Sequence, residues 1–321
     1  MKLKSAILCE EDLVAISQHT KLQHLEFQSD VMFSDISKLT SLTFFRSVNH
    51  RCAFGEWLGK IPLRHLHVPE TTIKQEIIDR MNLLESLECC FPLVTIINSS
   101  KLRVLKVCNI FETLSMDLNV PNLEKFELER SNASTKVNLS SNALKEFNSY
   151  FPCLFNLDCP NLEKIYAPQG FTFNGEAQPN LTCAIAQLVR LCPKLKVLDT
   201  STNRSPVELF SVLPNTLKKL RVEIPNHAGY KISLKDAGTL FERCPLLEEI
   251  RLNDFIESPV DFLKRYLPNM KNLKSISFLW HPSTQENEEI DEIKKSTKVK
   301  ISTKSPKGVN FSEYNLFGDD E

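Results

Sequence analysis

Apolar residues recur along this chain in a short phrase, in which one apolar position is followed by a second three residues later. Residues 22–27, 63–68 and 102–107 show the phrase most clearly. Nine further copies begin at Leu42, Leu84, Leu123, Leu144, Leu162, Leu195, Leu217, Leu247 and Leu273. Alternate residues of each phrase share one face, which is the periodicity of a short β-strand. The recurrence therefore predicts one stacked array of units, although 321 residues would otherwise suggest two domains.

The segments between the phrases predict how each strand connects to the next. Units begin about every 18–21 residues in the first half of the chain and about every 22–33 residues in the second. Because consecutive parallel strands need a crossover connection, we expect an α/β fold with one long parallel sheet. The short first-half connections predict extended or 3₁₀ backs with some short helices, of which residues 74–81 are the best candidate.

The longer second-half connections predict helices. Residues 184–191 and 234–241 carry apolar residues at helical spacing. Ser205 and Ser258 each precede a proline and an acidic residue in the pattern of a capping box. A last capped helix is expected over about 284–295. The connections should therefore be of two kinds, extended or 3₁₀ in the first half of the chain and helical in the second.

Three units share a longer signature, in which Cys159, Cys192 and Cys244 each precede proline and a Leu-x-x-Leu or Leu-x-x-Ile strand. This signature resembles the cysteine-containing class of leucine-rich repeats found in many F-box proteins. The resemblance implies a horseshoe-shaped solenoid with a parallel concave sheet, of about 12 repeats over residues 1–300.

Some details of this resemblance bear on the expected organisation. Residues 3–8 are a candidate degenerate opening unit, and residues 301–321 are a candidate tail or cap. The asparagine that usually follows the strand stands in register only at Asn203, so we expect irregular turns. The segment before Leu22 is too short for an F-box, so the resemblance implies the fold and not a ubiquitin-ligase role.

Composition narrows the possible classes of protein. The formal net charge is −1, which gives no bulk attraction to nucleic acid or to an anionic membrane. The apolar start of the chain ends at Glu10, short of a signal sequence, and no apolar run reaches the ~20 residues of a membrane span. We therefore expect a cytoplasmic or nuclear protein. The ten cysteines form no Cys-x-x-Cys pair, so buried thiols are favoured over zinc.

The side chains that flank the strand leucines should form the binding face of the array. A protein partner is expected there, with Phe44, Tyr150 and Tyr166 as anchors, because aromatic residues and arginine dominate binding energy. The other candidates are Arg46, His65, His67, Lys106, Glu127, Glu129, Lys164, Lys219 and Arg221, with His24, Glu26, Asn148, Glu249 and Arg251 beside them.

Catalysis and cofactor binding are not expected. His24, His65 and His67 lack the carboxylate or cysteine that would complete a tetrahedral metal site. Residues 55–60 contain two glycines and a lysine but depart from the phosphate-loop pattern in spacing. No nucleophile elbow or His-Glu-x-x-His sequence occurs. The sequence thus indicates neither an enzyme nor a metal or cofactor site.

The C-terminal residues allow several interpretations. Lys307, Val309 and Phe311 resemble the docking motif of regulators of type-1 protein phosphatase, which can add as a strand to a partner's sheet. The lysines of 294–307 could form a nuclear-import or nucleic-acid patch or a solvated tail, and the aromatic residues of 311–317 could cap the array.

Taken together, these observations predict a non-catalytic protein-protein interaction scaffold, monomeric on its own. Two alternatives stay open. One is the substrate-receptor subunit of a ubiquitin ligase, which would need an adaptor-binding module that this sequence does not display. The other is a targeting subunit of a type-1 phosphatase that uses residues 307–311.

Overall fold

A long parallel β-sheet runs through the whole computed structural model of this chain. The structure describes residues 1–5, 10–28, 35–48, 55–90, 96–108, 115–129, 136–150, 154–168, 181–201, 206–223, 233–253, 256, 258–279 and 283–304. The sheet has fourteen strands, and every pair of neighbours is parallel. The expectation of an α/β fold with one long parallel sheet is confirmed.

The strands of this sheet follow the order of the chain. They are β1 (Lys2–Ser5), β2 (His24–Gln28), β3 (Phe44–Val48), β4 (His65–Thr72), β5 (Ser86–Cys90), β7 (Val104–Cys108), β9 (Lys125–Glu129), β11 (Glu146–Ser149), β13 (Lys164–Ala167), β14 (Val197–Ser201), β15 (Lys219–Glu223), β16 (Glu249–Asn253), β17 (Ser275–Leu279) and β18 (Lys300–Lys304). The candidate opening unit at 3–8 supplies β1, and β18 extends the sheet beyond residue 300, where the sequence suggests that the tail begins.

One face of the sheet is packed into a continuous apolar core. The second residue of almost every strand points into it and is buried: Leu25, Phe45, Leu66, Leu87, Leu105, Phe126, Phe147, Ile165, Leu198, Leu220, Ile250, Ile276 and Ile301. The leucine that opens each phrase, two residues before the strand, is buried as well, as at Leu22 and Leu123. Since each such side chain contributes about 1.5–3 kcal/mol, these rows hold successive units together.

A second parallel sheet covers this core in the middle of the chain. Its strands are β6 (Ile96–Asn98), β8 (Ser115–Asn119), β10 (Lys136–Ser140) and β12 (Leu154–Asp158), in the order β12-β10-β8-β6. Met116, Leu118, Val137, Leu139 and Leu157 alternate along it and are buried. The prediction of extended backs is confirmed here, but their pairing into a sheet was not anticipated.

Most of the other connections between strands of the long sheet contain a helix or a 3₁₀ turn. The helices are α1 (Glu10–Ser17), α2 (Gln75–Arg80), α3 (Leu181–Arg190), α4 (Val207–Val212), α5 (Leu234–Arg243), α6 (Pro259–Tyr266) and α7 (Thr284–Ser296), with 3₁₀ turns at Glu56–Lys60 and Leu267–Asn269. Each helix from α3 to α7 contacts the next one. The predicted helices near 74–81, 184–191, 234–241 and 284–295 are thereby confirmed.

The predicted helix caps are confirmed where the structure describes them. The Ser258 hydroxyl accepts a hydrogen bond from the backbone N–H of Asp261 at the start of α6, over 3.3 Å. Ser283 and Glu286 form a complete capping box at α7. The capping box expected at Ser205 lies outside the described residues.

Helices α5 and α6 approach closely at a glycine. The Tyr266 hydroxyl donates a 2.7 Å hydrogen bond to the backbone carbonyl of Leu234, and the ring passes over Gly238. A Cβ added at Gly238 would lie 2.3 Å from the Tyr266 hydroxyl oxygen and 2.7 Å from its ring. The absence of a side chain at Gly238 therefore allows this packing.

We predict that Gly238→Ala destabilises the protein by about 1–3 kcal/mol, because the new methyl group displaces Tyr266. Alanine would otherwise stabilise a helix relative to glycine by about 1 kcal/mol. Urea unfolding of the variant and of the double variant with Tyr266→Ala separates the two effects. In the Tyr266→Ala background the same change should be neutral or stabilising; a loss of equal size there would contradict this account.

In the part of the chain that the structure describes, none of the helices has the length and apolar character needed to cross a membrane.

Candidate functional site

The face of the fourteen-stranded sheet opposite the core, called the open face here, carries the polar and aromatic candidates. Parallel register aligns its side chains into rows that run across the strands. The central row consists of the third residue of each strand, in spatial order Lys4, Glu26, Arg46, His67, Glu88, Lys106, Glu127, Asn148, Tyr166, Asp199, Arg221, Arg251, Ser277 and Ser302. Charges of opposite sign face each other at several places along it, as at Lys4 and Glu26 or at Glu88 and Lys106, whereas Arg221 and Arg251 are neighbours of the same sign.

An aromatic group lies on the open face of β2, β3 and β4. The rings of His24 and Phe44 stack with their centroids 4.1 Å apart and 8° between their planes. His67 and His65 flank the same phenyl ring, with centroids 5.4 and 5.9 Å from it. Burial lowers the pKa of His65, and the nearby His67 and Arg64 lower it further against the charge of Glu85. The structure thus brings the three histidines together around Phe44 rather than around a metal position.

Glu26 is contacted by several basic groups. Its carboxylate lies 3.1 Å from the Lys4 ammonium, 3.1 Å from the Arg46 guanidinium and 3.5 Å from the His24 ring nitrogen Nε2. The hydrogen bond from Lys4 is the largest cause of a lowered pKa for Glu26. Because Lys4 and Arg46 share this one carboxylate, at least one positive charge remains in excess.

Lys106, in contrast to Glu26, is a basic group surrounded by carboxylates. Its ammonium lies 3.3 Å from Glu88, 3.3 Å from Glu127 and 2.9 Å from Glu129. Burial works to lower the pKa of Lys106, but the hydrogen bond with Glu129 and the charges of the three carboxylates outweigh it and raise that pKa. Lys125 reaches Glu127 only at 3.9 Å, so three carboxylates face two ammonium groups around Lys106, with the His67 ring 3.1 Å from Glu88.

Tyr150 lies beside this acidic group, directly after β11. Its side chain is among the large apolar groups that remain exposed, at 39%. Partial burial and the charges of Glu127 and Glu129 raise its pKa. Lys125 and Lys164 both contact Glu146, at 2.7 and 3.6 Å. The middle of the open face therefore combines an accessible aromatic ring with mixed charges.

Arg221 lies in the central row, as the sequence suggested, but it is buried there. Its side chain is only 5% exposed, and its guanidinium lies 2.8 Å from Glu223 and 3.3 Å from Asp199. Arg251, also buried, lies 3.8 Å from Glu223. Burial raises the pKa of Asp199 to about 6, against the opposing charge of Arg221. Arg221 therefore belongs to a buried ionic network and, in this position, offers little surface to a partner.

The other candidates lie on the open face as expected, but most are paired with a neighbour. Phe44, His65, Lys164 and Lys219 stand at the first position of their strands, and Lys219 contacts Glu249 at 3.2 Å. Arg46, His67, Lys106, Glu127 and Tyr166 stand in the central row. Glu129 ends β9, and its side chain is 39% exposed.

Several charged residues of this surface were missed by inspection of single phrases. They are Glu88, Lys125, Glu146, Asp199 and Glu223. The signal that could have found them is the spacing of opposite charges between units: Glu88 and Lys106 occupy the same position of successive phrases, and so do Lys106 and Glu127. The same spacing pairs Lys125 with Glu146 and Asp199 with Arg221, but not Glu223, which contacts Arg221 on its own strand.

Six cysteines are buried free thiols, as predicted: Cys89, Cys90, Cys108, Cys159, Cys192 and Cys244. Burial raises the pKa of Cys159 to about 11 and that of Cys192 and Cys244 to about 12. Among the described residues, no three His, Cys, Asp or Glu side chains are placed to hold a metal ion. The docking-motif candidates Lys307, Val309 and Phe311 lie outside the described part of the chain.

No protein-family model matches this sequence, and no curated protein matches it at a significant level.

Proposed function

We propose that this chain is a leucine-rich-repeat solenoid and serves as a non-catalytic scaffold that binds a partner protein on its open face. In this proposal the open face is the concave side of the array, and its helices and second sheet form the back. The observation that carries the proposal is the exposed Tyr150 ring beside the charged pairs of Lys106 and Lys125. Tyrosine is one of the residue types enriched at interaction hot spots, and an exposed ring can be covered by a partner.

The dimensions of the sheet support a macromolecular partner. Fourteen strands at a spacing of ~4.8 Å span roughly 60 Å before any curvature. That length exceeds what a small molecule needs and suits a peptide or a protein surface. Cytoplasm or nucleus is the compartment that we propose, on the sequence observations given above.

We predict that Tyr150→Ala combined with Tyr166→Ala weakens partner binding at least tenfold while the protein stays folded. The partner is first isolated by affinity purification with mass spectrometry, and its affinity is then measured by calorimetry. Leu191→Ala is a matched control, because Leu191 is an exposed apolar residue that follows α3 and lies off the sheet. Unchanged affinity of the double variant would show that the partner does not bind at the middle of the open face.

The identity of the captured proteins also tests the scaffold proposal. If the main direct partner is a ubiquitin-ligase adaptor subunit, the ubiquitin-ligase alternative replaces the scaffold proposal. If it is a phosphatase catalytic subunit, the phosphatase-targeting alternative does. Turnover of nucleotides or esters by the pure protein, abolished by a point substitution, would contradict the non-catalytic part.

A further inference from the structure

Two charge centres of opposite sign lie on the open face. The first, called the cationic centre, is formed by Lys4 and Arg46 around Glu26. The second, called the anionic centre, is formed by Glu88, Glu127 and Glu129 around Lys106. In each centre one charge is contacted by several opposite charges, so each has an unbalanced remainder.

The unbalanced charges are accessible. The side chains of Lys4 and Arg46 are 67% and 48% exposed, whereas Glu26 between them is largely covered. In the anionic centre Glu129 is the most exposed carboxylate. An incoming carboxylate can therefore reach Lys4 and Arg46, and an incoming cation can reach Glu129, without breaking the existing pairs.

The distance between the centres follows from the strand order. Glu26 lies on β2 and Lys106 on β7, and the sheet order β2-β3-β4-β5-β7 places four strand spacings between them. At ~4.8 Å per spacing the separation is roughly 19 Å before curvature. An extended chain advances about 3.3 Å per residue, so about six residues join the two centres.

The surface between the centres is aromatic. The half-buried Phe44 ring stands one strand from Glu26, stacked between His24 and His67. His67 continues toward the anionic centre through its 3.1 Å contact with Glu88. An extended segment that joined the centres would cross this aromatic group.

We propose that the open face between β1 and β9 binds an extended peptide segment of a partner, with an acidic residue at the cationic centre and a basic residue about six positions away at the anionic centre. This inference deepens the scaffold proposal and rests on it. Charge complementarity of this kind sets the register of the bound segment and excludes segments with the opposite pattern.

Synthetic peptides test the inference directly. The probe has two glutamates, four threonines and two arginines in that order, and a second probe has the reverse order. The control peptide has the same composition with glutamate and arginine alternating. We expect at least one of the two block-charged peptides to bind the intact protein at least tenfold more tightly than the alternating one, by fluorescence anisotropy at low salt, with the difference shrinking as salt is added.

Charge reversal then locates the site. Lys4→Glu with Arg46→Glu should weaken binding of the block-charged peptide at least tenfold and increase binding of a peptide with arginine at both ends. Lys271→Glu with Lys298→Glu, two exposed lysines outside the rows of the open face, is the matched control and should change neither affinity appreciably. Circular dichroism checks that each variant is folded.

Equal affinity for the block-charged and alternating peptides would overturn the inference, and so would no detectable binding at millimolar peptide. Equal effects of the two pairs of reversals would overturn it as well. None of these results affects the Tyr150 and Tyr166 test with the captured partner, so failure of this inference is distinguishable from failure of the scaffold proposal.

Discussion

Replacing Arg221 by methionine is expected to lower the free energy of unfolding by about 3–5 kcal/mol. The guanidinium lies between Asp199 and Glu223, and all three side chains are largely buried. Methionine fills a similar volume, but within the described residues it leaves two buried carboxylates with Arg251 as the neighbouring cation, whose contact with Glu223 is longer, at 3.8 Å. Urea unfolding at neutral pH, followed by circular dichroism, measures the loss.

A substitution at Asp199, an acidic partner of Arg221, provides the control. Asp199→Asn removes a buried charge while keeping its shape, so we expect a neutral or stabilising effect at neutral pH, because burial of a charge can cost more than its ion pair returns. In the folded protein the pKa of Asp199 is raised to about 6 from an ordinary value of 3.8. The folded state therefore holds the proton more tightly, and ionisation of Asp199 lowers stability as pH rises from about 4 through about 6.

That pH dependence should be smaller in Asp199→Asn than in the unmodified protein. Two results would contradict this picture of the network: an Arg221→Met variant that unfolds at the same urea concentration as the unmodified protein, or an Asp199→Asn variant as unstable as Arg221→Met. Comparing the unfolding free energies of the two variants shows whether Arg221 contributes to the stability of the folded protein.

The strands of the long sheet could be predicted from the sequence because their signal is local. The twelve strands from β2 to β17 in this sheet each have an apolar residue at the second position and a leucine two residues before the strand begins, as at Leu25 and Leu22, whereas the end strands β1 and β18 lack that leucine. The second sheet could not be predicted so directly. Its strands are three to five residues long, and their pairing depends on connections of nearly equal length in successive units.

Burial on the open face is a further property that the sequence does not reveal. Arg46 and Arg221 occupy the same position of their strands, yet the first is 48% exposed and the second 5%. Arg46 meets Glu26 on one neighbouring strand and His67 on the other, whereas Arg221 lies among Asp199, Glu223 and Arg251. Such an environment is set by several units together, so one phrase contains too little information to predict it.

Truncation of a buried phenylalanine in the apolar core is expected to cause the second large loss of stability. Phe126 is fully buried on β9 and packs against Phe147 of β11, with their ring centroids 5.8 Å apart. We expect Phe126→Ala to cost about 3–5 kcal/mol, since it removes most of a buried ring and leaves a cavity between neighbouring strands.

Because β9 lies in the middle of the long sheet and pairs with β7 on one side and β11 on the other, a defect there is also expected to weaken the coupling between the strands on its two sides. We therefore expect Phe126→Ala to lower the urea midpoint and broaden the transition, as the two parts of the array begin to unfold separately. Phe44→Ala is the matched control, because that ring lies on the open face, and it should cost clearly less with an unchanged slope. Equal losses for the two phenylalanines would mean that the apolar row behind the sheet is not what couples the units.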